Sequence, residues 1–524
     1  MFEKYPSWLR ATSHITQSRA MIEQISRISL GQGVLLLLVT VVLVNLCQAI
    51  YNLYFHPLAR YPGPKLAAVS EIWFSRAWTD GHLARKLQEA HQKYGDVVRI
   101  APNDLDFVSV QAFQDIHGHV KKGQAVFTKS EMYDSFDPVP AFPIMRDPKQ
   151  HAEGRRKFAH AFSATSLSKQ SGYIIKYVDS FMSQISKHGQ AEEGIEISNW
   201  LNWLTFDIIG DLAFGDPFGA VEQASPSPEI DRIINIFYTG SLGEVLRRLP
   251  WAKLIAPFMP SVRNLFKDYN DHLEYALQKI RSRLARGNDR DDFFGHILSD
   301  KSNPPNELWL RAEAEILLAA GTDTTATGLT GMTYYLLQQP QTLKRLQEEI
   351  RSHFADSKDI NESSTVQLPY LNAVIEEALR LTPPLPINLP RKSPGAFVDG
   401  QFIPKGVTVA THQYTTQRHP KYWTDPDDFH PERFLPASHP LYDRRFAHDN
   451  LEASKPFLAG RHTCIGRNLA YLEMRIVLAK LVFLFDWEAT STLGPGGVID
   501  WKRDLRAKFM WVKPPLRVRY ISRS

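Results

Sequence analysis

The chain has 524 residues but only two cysteines, Cys47 and Cys464. A secreted domain stapled by disulfides carries more, so a disulfide framework is excluded. Blocks of like charge are missing too. Lysine and arginine number 61 against 56 acidic residues, a formal net charge of +5, and they are scattered along the chain. That argues against a nucleic-acid partner and leaves a mildly positive surface suited to an acidic protein or an anionic membrane face. There is no internal repeat and no low-complexity tract. What is present is 43% hydrophobic and 22% charged, the balance of a chain that buries a substantial core.

Charge is absent altogether from Gly33 to Tyr54, which reads GVLLLLVTVVLV followed by NLCQAIYNLY. About 20 apolar residues span a bilayer core, and this run reaches that length. Tyr51, Tyr54 and Phe55 suit the membrane interface. The rival reading, a cleaved signal peptide, fits less well: the leader is long and no small-residue cleavage site follows the apolar core. Lys4, Arg10, Arg19 and Arg27 precede the run, whereas Arg60 and Lys65 follow it. The positive-inside rule therefore keeps the amino end cytosolic. Cys47 falls inside this run, which leaves Cys464 without a disulfide mate. Tyr61-Pro62-Gly63-Pro64 next makes a stiff turn, because two prolines around a glycine cannot continue a helix.

Beyond the turn, GDVVRIAPNDLDFVSV (95–110) predicts a hairpin around Pro-Asn-Asp. Apolar residues three and four apart then predict helices at 149–162, 168–187, 194–214, 263–287, 307–338, 341–354, 368–381 and 465–483. Short strands are expected at 397–403, 407–411 and 508–520. The stretch 220–262, broken by Pro and Gly, reads as helices joined by mobile loops. The body is expected to be one large domain, mainly α with a minor β region.

Cys464 sits in Phe457-Leu458-Ala459-Gly460-Arg461-His462-Thr463-Cys464-Ile465-Gly466, just before a helix. Gly460 and Gly466 permit tight turns and close backbone approach to a flat cofactor. Backbone N–H groups at the start of the following helix stabilise a thiolate. Phe457 is placed to screen the sulfur. The pattern suits a thiolate ligand to haem iron.

The segment resembles the haem-binding signature of the cytochrome P-450 superfamily, Phe-x-x-Gly-x-Arg/His-x-Cys-x-Gly. His462 stands where most members carry an arginine that reaches a haem propionate, and Arg461 is a neighbouring substitute. Ala320-Gly321-Thr322-Asp323-Thr324-Thr325, midway along the predicted helix 307–338, is similar to the superfamily's Ala/Gly-Gly-x-Asp/Glu-Thr-Thr. Ala320 and Gly321 let a ligand lie against the backbone, and Thr324 can bond back to a carbonyl one turn earlier. Asp323 and Thr324 form an acid–alcohol pair able to relay protons through water. Glu377 and Arg380 share a helix face. With Arg433 of Phe429-His430-Pro431-Glu432-Arg433-Phe434 they resemble the superfamily's buried Glu–Arg–Arg network. By the same resemblance Arg391 binds a propionate, and His151 with Arg155 stands for a Trp-x-x-x-Arg pair. Residues 54–58 and 206–215 look like those of fungal members that tailor secondary metabolites, such as trichothecene and polyketide hydroxylases.

The resemblance divides the chain into a leader (1–32), a transmembrane anchor (33–54), a proline-rich hinge (55–66) and a haem-thiolate monooxygenase domain (67–524). It implies haem b, NADPH electrons from a separate cytochrome P-450 reductase, cytochrome b5 as a further donor, and insertion of one oxygen atom from O2. It also implies the endoplasmic reticulum membrane, with the body facing the cytosol, in conflict with the flanking charges. The formal sequon Asn361-Glu362-Ser363 is then expected to be unmodified. Reductase docking is expected near Lys157 and Arg467. Substrate contacts are expected from Phe127 to Phe142, from Ala319 and Ala320, and from Leu385 to Leu389, including Ile387 and Asn388. The substrate expected is an apolar terpenoid, polyketide or alkaloid. The rivals are a reductase-independent haem isomerase or dehydratase, which tends to lack the Asp-Thr pair, and a non-enzymatic membrane haem carrier.

Overall fold

The computed structural model describes residues 29–120, 123, 125–134, 137, 139–287, 290, 292–299, 306–386 and 389–523. Its organising element is the helix Glu307–Gln338. At 1.5 Å per residue its 32 residues run for about 48 Å. Asn306 starts it by accepting from the backbone N–H of Leu308 at 2.8 Å, a cap that satisfies an orphan donor. The helix is apolar or small nearly all round, so it can only sit in the interior. Helices Ile197–Phe214, Pro260–Ala285, Pro369–Leu381 and Arg467–Leu484 pack around it.

A five-stranded sheet lies outside this helical body. Its order is Val97–Ala101, Asp104–Phe107, Thr408–Thr411, Arg391–Lys392, Thr128–Lys129. The first two strands form the expected hairpin, with Val97 opposite Phe107 and Arg99 opposite Leu105. Asp104–Phe107 runs parallel to Thr408–Thr411, which ties the amino-terminal hairpin to a strand 300 residues later. Smaller sheets join Ile195–Glu196, Arg517–Ser522 and Phe485–Ala489, and pair Arg506–Lys508 with Met510–Val512.

Every predicted long helix is present within a few residues of its expected ends. Four helices upstream of 148 were not expected among the described residues: Lys65–Val69, Ile72–Thr79, Leu83–Tyr94 and Val110–His117. They are short, and tertiary burial of Trp78, Leu87 and Phe113 supplies what propensity alone does not. The stretch 220–262 is more ordered than expected. Ser227 caps a 21-residue helix, Pro228–Arg248, and 3-10 turns follow at Pro250–Leu254 and Ala256–Phe258. The apolar run forms one helix, Leu30–Tyr54, whose side chains project away from the body. It is long and apolar enough to cross a membrane.

Candidate functional site

The cysteine loop is held by its own backbone. The Cys464 N–H donates to the Phe457 carbonyl at 2.9 Å, and Thr463 Oγ1 donates to the Gly460 carbonyl at 2.8 Å. Gly460 has φ +63°, and a Cβ there would lie 2.3 Å from the His117 carbonyl oxygen and 2.7 Å from that of Gly118. Only glycine meets both demands. Gly466 is different: its φ is −80° and a Cβ would find ordinary contact, 3.9 Å from Cys464 Sγ. Its contribution is its N–H, which with that of Arg467 bonds to the sulfur and favours the thiolate. Burial nevertheless pushes the Cys464 thiol up, against those bonds and the nearby Arg155 and Arg467. Cys464 is enclosed by protein, yet its surface is accessible, so it opens onto a space inside the molecule. The Phe457 ring rests 5.0 Å from that of Tyr471.

Cations converge beside this loop. Arg391, almost fully buried, donates through Nη1 to Tyr133 Oη at 2.8 Å and to the Leu389 carbonyl at 3.0 Å, while its Nε has no partner. Lys129 donates to the carbonyls of Pro143 (2.6 Å) and Met145 (3.0 Å). Burial, Arg391 and Arg155 pull the Lys129 ammonium down to about 7. His151 contacts the Phe142 carbonyl through Nδ1 at 2.8 Å, and its ring lies 4.8 Å from that of His462. The His462 Nδ1 is buried without a partner. Burial, then Arg391, Lys129, His151 and His117, push its imidazole down to about 2. The burial that depresses Lys129 and His462 is reinforced by the neighbouring cations. An accessible cysteine sulfur beside the cations Arg391 and Lys129, with Arg391 Nε and His462 Nδ1 unpartnered among the described residues, fits a flat group with a metal centre and acidic substituents, which is what haem offers. Arg461, the expected substitute for His462, contributes its carbonyl to His151 Nε2 at 3.4 Å.

On the central helix, Ala320 is exposed and Gly321 and Thr324 are half-buried, although most of their neighbours are buried. Thr324 Oγ1 donates to the Ala320 carbonyl at 2.7 Å, the back-bond expected for it. Asp323 does not bond to Thr324. Consecutive helical side chains diverge by about 100°, and the Asp323 carboxylate instead pairs with Lys513 Nζ at 2.8 Å. Lys513 also donates to Thr327 Oγ1 at 2.8 Å. Nothing in the motif signals Lys513, which arrives from the carboxy-terminal region. Lys129 and His117 were equally unmarked, since neither lies in a recognisable spacing.

The Glu–Arg–Arg network forms as expected and is fully buried. Glu377 accepts from Arg380 Nε at 2.6 Å and Nη2 at 2.7 Å, from Arg433 Nε at 3.1 Å, and from the His430 N–H at 2.8 Å. Arg433 also pairs with Asp449. Arg380 reaches the Gln417 and Pro426 carbonyls at 2.7 Å, so the network joins a helix to the meander before the cysteine loop.

A cavity of about 540 Å³ lies along the central helix, lined among others by Met132, Glu315, Ile316, Ala319, Leu389 and Phe509. Ala319 lines it, as do Met132, Tyr133, Val139 and Ala141 from the span 127–142, whereas Phe127 and Phe142 at the ends of that span do not. Phe127 is core, packed in the cluster of Leu105, Phe107 and Val409. Phe142 stacks on Phe158 at 5.7 Å, and Gly154 leaves it room. Ile387 and Asn388 lie outside the described residues.

A helical body with an inward-opening cysteine loop, a cation cluster beside it and a small-residue break in a central helix defines a haem-thiolate enzyme. Residues 62–505 match the family model described as Cytochrome P-450. The chain belongs to that family and is a haem-thiolate monooxygenase, an oxidoreductase; the isomerase alternative is not favoured. It is 42% identical to the cytochrome P-450 monooxygenase BOA3 of Botryotinia fuckeliana over 90% of this chain and 93% of that protein. It is 40% identical to the cytochrome P-450 monooxygenase poxC of Penicillium oxalicum (91% and 92%) and 39% identical to the cytochrome P-450 monooxygenase astJ of Aspergillus oryzae (90% and 93%).

Proposed function

We propose that Cys464 is the axial thiolate ligand of a haem b iron, and that the enzyme oxidises an apolar small molecule of fungal secondary metabolism. The observation that carries this is the enclosed but accessible Cys464 beside the buried Arg391, whose Nε has no partner among the described residues. Bound haem supplies dioxygen binding and O–O cleavage, which electron density from the thiolate favours. Arg391, Arg155, His151, His462 and Lys129 hold the propionates, with His462 donating through its orphaned Nδ1. Phe457 and the Gly460 turn seat the proximal face, and the Gly466 N–H steadies the sulfur. Thr324 and Asp323 hold and move protons on the opposite side, Asp323 releasing Lys513 to do so. Glu377, Arg380 and Arg433 brace the cysteine loop. Ala319, Ala320 and the 385–389 run, with Ile387 and Asn388, shape the substrate's surroundings; Leu389 in the cavity wall supports this.

Electrons come from an NADPH–cytochrome P-450 reductase, with cytochrome b5 as a second donor. Arg156, Lys157 and Arg467 are exposed on the outer side of the cysteine loop and suit an acidic partner. The family reading puts the anchor (33–54), which follows the leader (1–32), in the endoplasmic reticulum membrane, with the domain 67–524 in the cytosol beyond the hinge 55–66, against the sense of the flanking charges. Exposed Trp251, Leu254, Ile255 and Phe258 support a second contact with that membrane. A glycan at Asn361 would overturn this orientation.

The test is the absorption spectrum of the reduced, carbon-monoxide-bound protein. The wild type is expected to give a thiolate-type Soret band and Cys464→Ala to lose it. A thiolate band that survives the substitution removes the assignment.

A further inference from the structure

The cavity along the central helix is walled by apolar residues and by acids, and nearly all of the acids are spoken for. Glu131 pairs with Arg146 (3.3 Å) and Lys392 (2.9 Å), and Asp134 with Arg146 (2.9 Å). Asp137 pairs with Arg311, and Glu244 with Arg247 (2.7 Å) and Arg248 (2.6 Å). Glu315 is the exception: among the described residues it has no hydrogen bond or ion pair. Ala312 and Ala319 lie on its helix face and line the cavity beside it. The charged groups that act on it are His272 and Arg311, which favour its ionised form, and Asp137, which opposes it. Their effect is smaller than that of burial, which raises the Glu315 carboxyl above the usual range.

Glu315 is half-buried in the wall of this cavity, and a ligand that fills the cavity displaces water from the carboxyl and must supply its partner. A carboxyl accepts hydrogen bonds in either form and donates one when protonated, so a hydroxyl, which both donates and accepts, answers it in each. With the other acids of the wall paired to Arg146, Lys392, Arg311, Arg247 and Arg248, the further cation Lys253 disfavours a cationic ligand. Glu315 precedes Thr324 by nine residues, so about 13 Å of helix axis separates them. Resting on the monooxygenase reading above, we propose that Glu315 is the polar anchor of the substrate. That substrate is an uncharged apolar skeleton bearing a hydroxyl on the order of 13 Å from the carbon that is oxidised. Glu315 thereby selects the substrate and sets the position attacked.

Three probes share one skeleton: dodecane, 1-dodecanol and dodecyltrimethylammonium. Each is titrated against the full-length, membrane-reconstituted holoenzyme, following the spin-state shift of the Soret band. The wild type is expected to bind the alcohol about tenfold more tightly than the alkane, the value of one buried hydrogen bond. Glu315→Gln keeps a donor and an acceptor and retains most of that preference. Glu315→Leu loses it while binding dodecane at least as well. The proposal is overturned if the Leu variant keeps the preference for alcohol. It is equally overturned if the wild type favours the quaternary ammonium, or if none of the probes shifts the spin state. The carbon-monoxide spectrum of each variant separates the two claims: without a thiolate-type Soret band the monooxygenase reading itself fails, and with one only the role of Glu315 does.

Discussion

Replacing Lys513 with methionine isolates the charge that holds Asp323. The two side chains meet at 2.8 Å and are nearly buried, at 6% and 11% exposure. Methionine keeps the length of the side chain but removes the ammonium, so the carboxylate faces the interior alone, with Thr327 as its remaining contact. Breaking a buried pair by removing one partner costs about 3–5 kcal/mol. The substitution should therefore destabilise by about 3 kcal/mol, some of the cost being relieved by the hydroxyl of Thr327. Asp323→Asn alone leaves Lys513 stranded and should cost a similar amount. The double variant should recover about 2 kcal/mol of the summed loss, because neither group is then left charged and unpaired. The assay is urea titration of the holoenzyme followed by loss of its thiolate Soret band, with NADPH consumed per product formed measured in parallel. Lys513→Met should also waste NADPH, since Asp323 no longer starts from its held position. Additive losses in the double variant would refute the pairing. Unchanged coupling in Lys513→Met would refute its place in proton delivery.

Three further outcomes follow from the geometry. Gly460→Ala puts a methyl 2.3 Å from the His117 carbonyl at a φ of +63°, so the loop must shift. It should cost roughly 1–3 kcal/mol in backbone strain and reduce haem retention, read as the haem-to-protein absorbance ratio. Glu377→Gln removes the charge shared by two fully buried arginines. It should cost about 3–5 kcal/mol and yield mostly haem-free protein on expression, whereas normal haem content would contradict the bracing role. The folded His462 imidazole titrates near 2 against 6.5 when unfolded. Because the folded value is depressed, its contribution is intact above pH 6.5 and is lost as pH falls towards 2. The haem-free protein should lose up to about 1.4 kcal/mol of stability per pH unit in that window from this residue. His462→Asn should remove that slope, as should propionates that supply the missing anion, measured by urea titration at pH 7 and pH 5.

Much of the site was legible because its parts are local. The spacing from Phe457 to Gly466 presents a sulfur, and the need for glycine at 460 follows from the turn it makes. The three-residue spacing of Glu377 and Arg380 puts both on one helix face, and their pairing at 2.6 Å follows. Alternation around Pro-Asn-Asp marked the hairpin, and helical periodicity marked Glu307–Gln338 to the residue. The errors share a cause. Within the span 127–142, Met132, Tyr133 and Ala141 line the cavity while Phe127 and Phe142 pack in the core, and only packing separates the two sets. The short helices before residue 118 escaped because their stability comes from what they are packed against.

The sequence by itself determined the membrane-length helix, the helical body and the chemistry offered by Cys464, Asp323 and Thr324. Each is a matter of residue type and spacing within a few turns, where backbone geometry alone dictates which side chains meet. Tertiary structure alone decided that Asp323 is held by Lys513, 190 residues away. It alone gathered Lys129, His117 and Arg391 around His462, and left Glu315 in the cavity wall with no hydrogen bond or ion pair among the described residues. Such neighbours are brought together by the close packing of distant elements, and a contact made that way leaves no periodic trace in the chain.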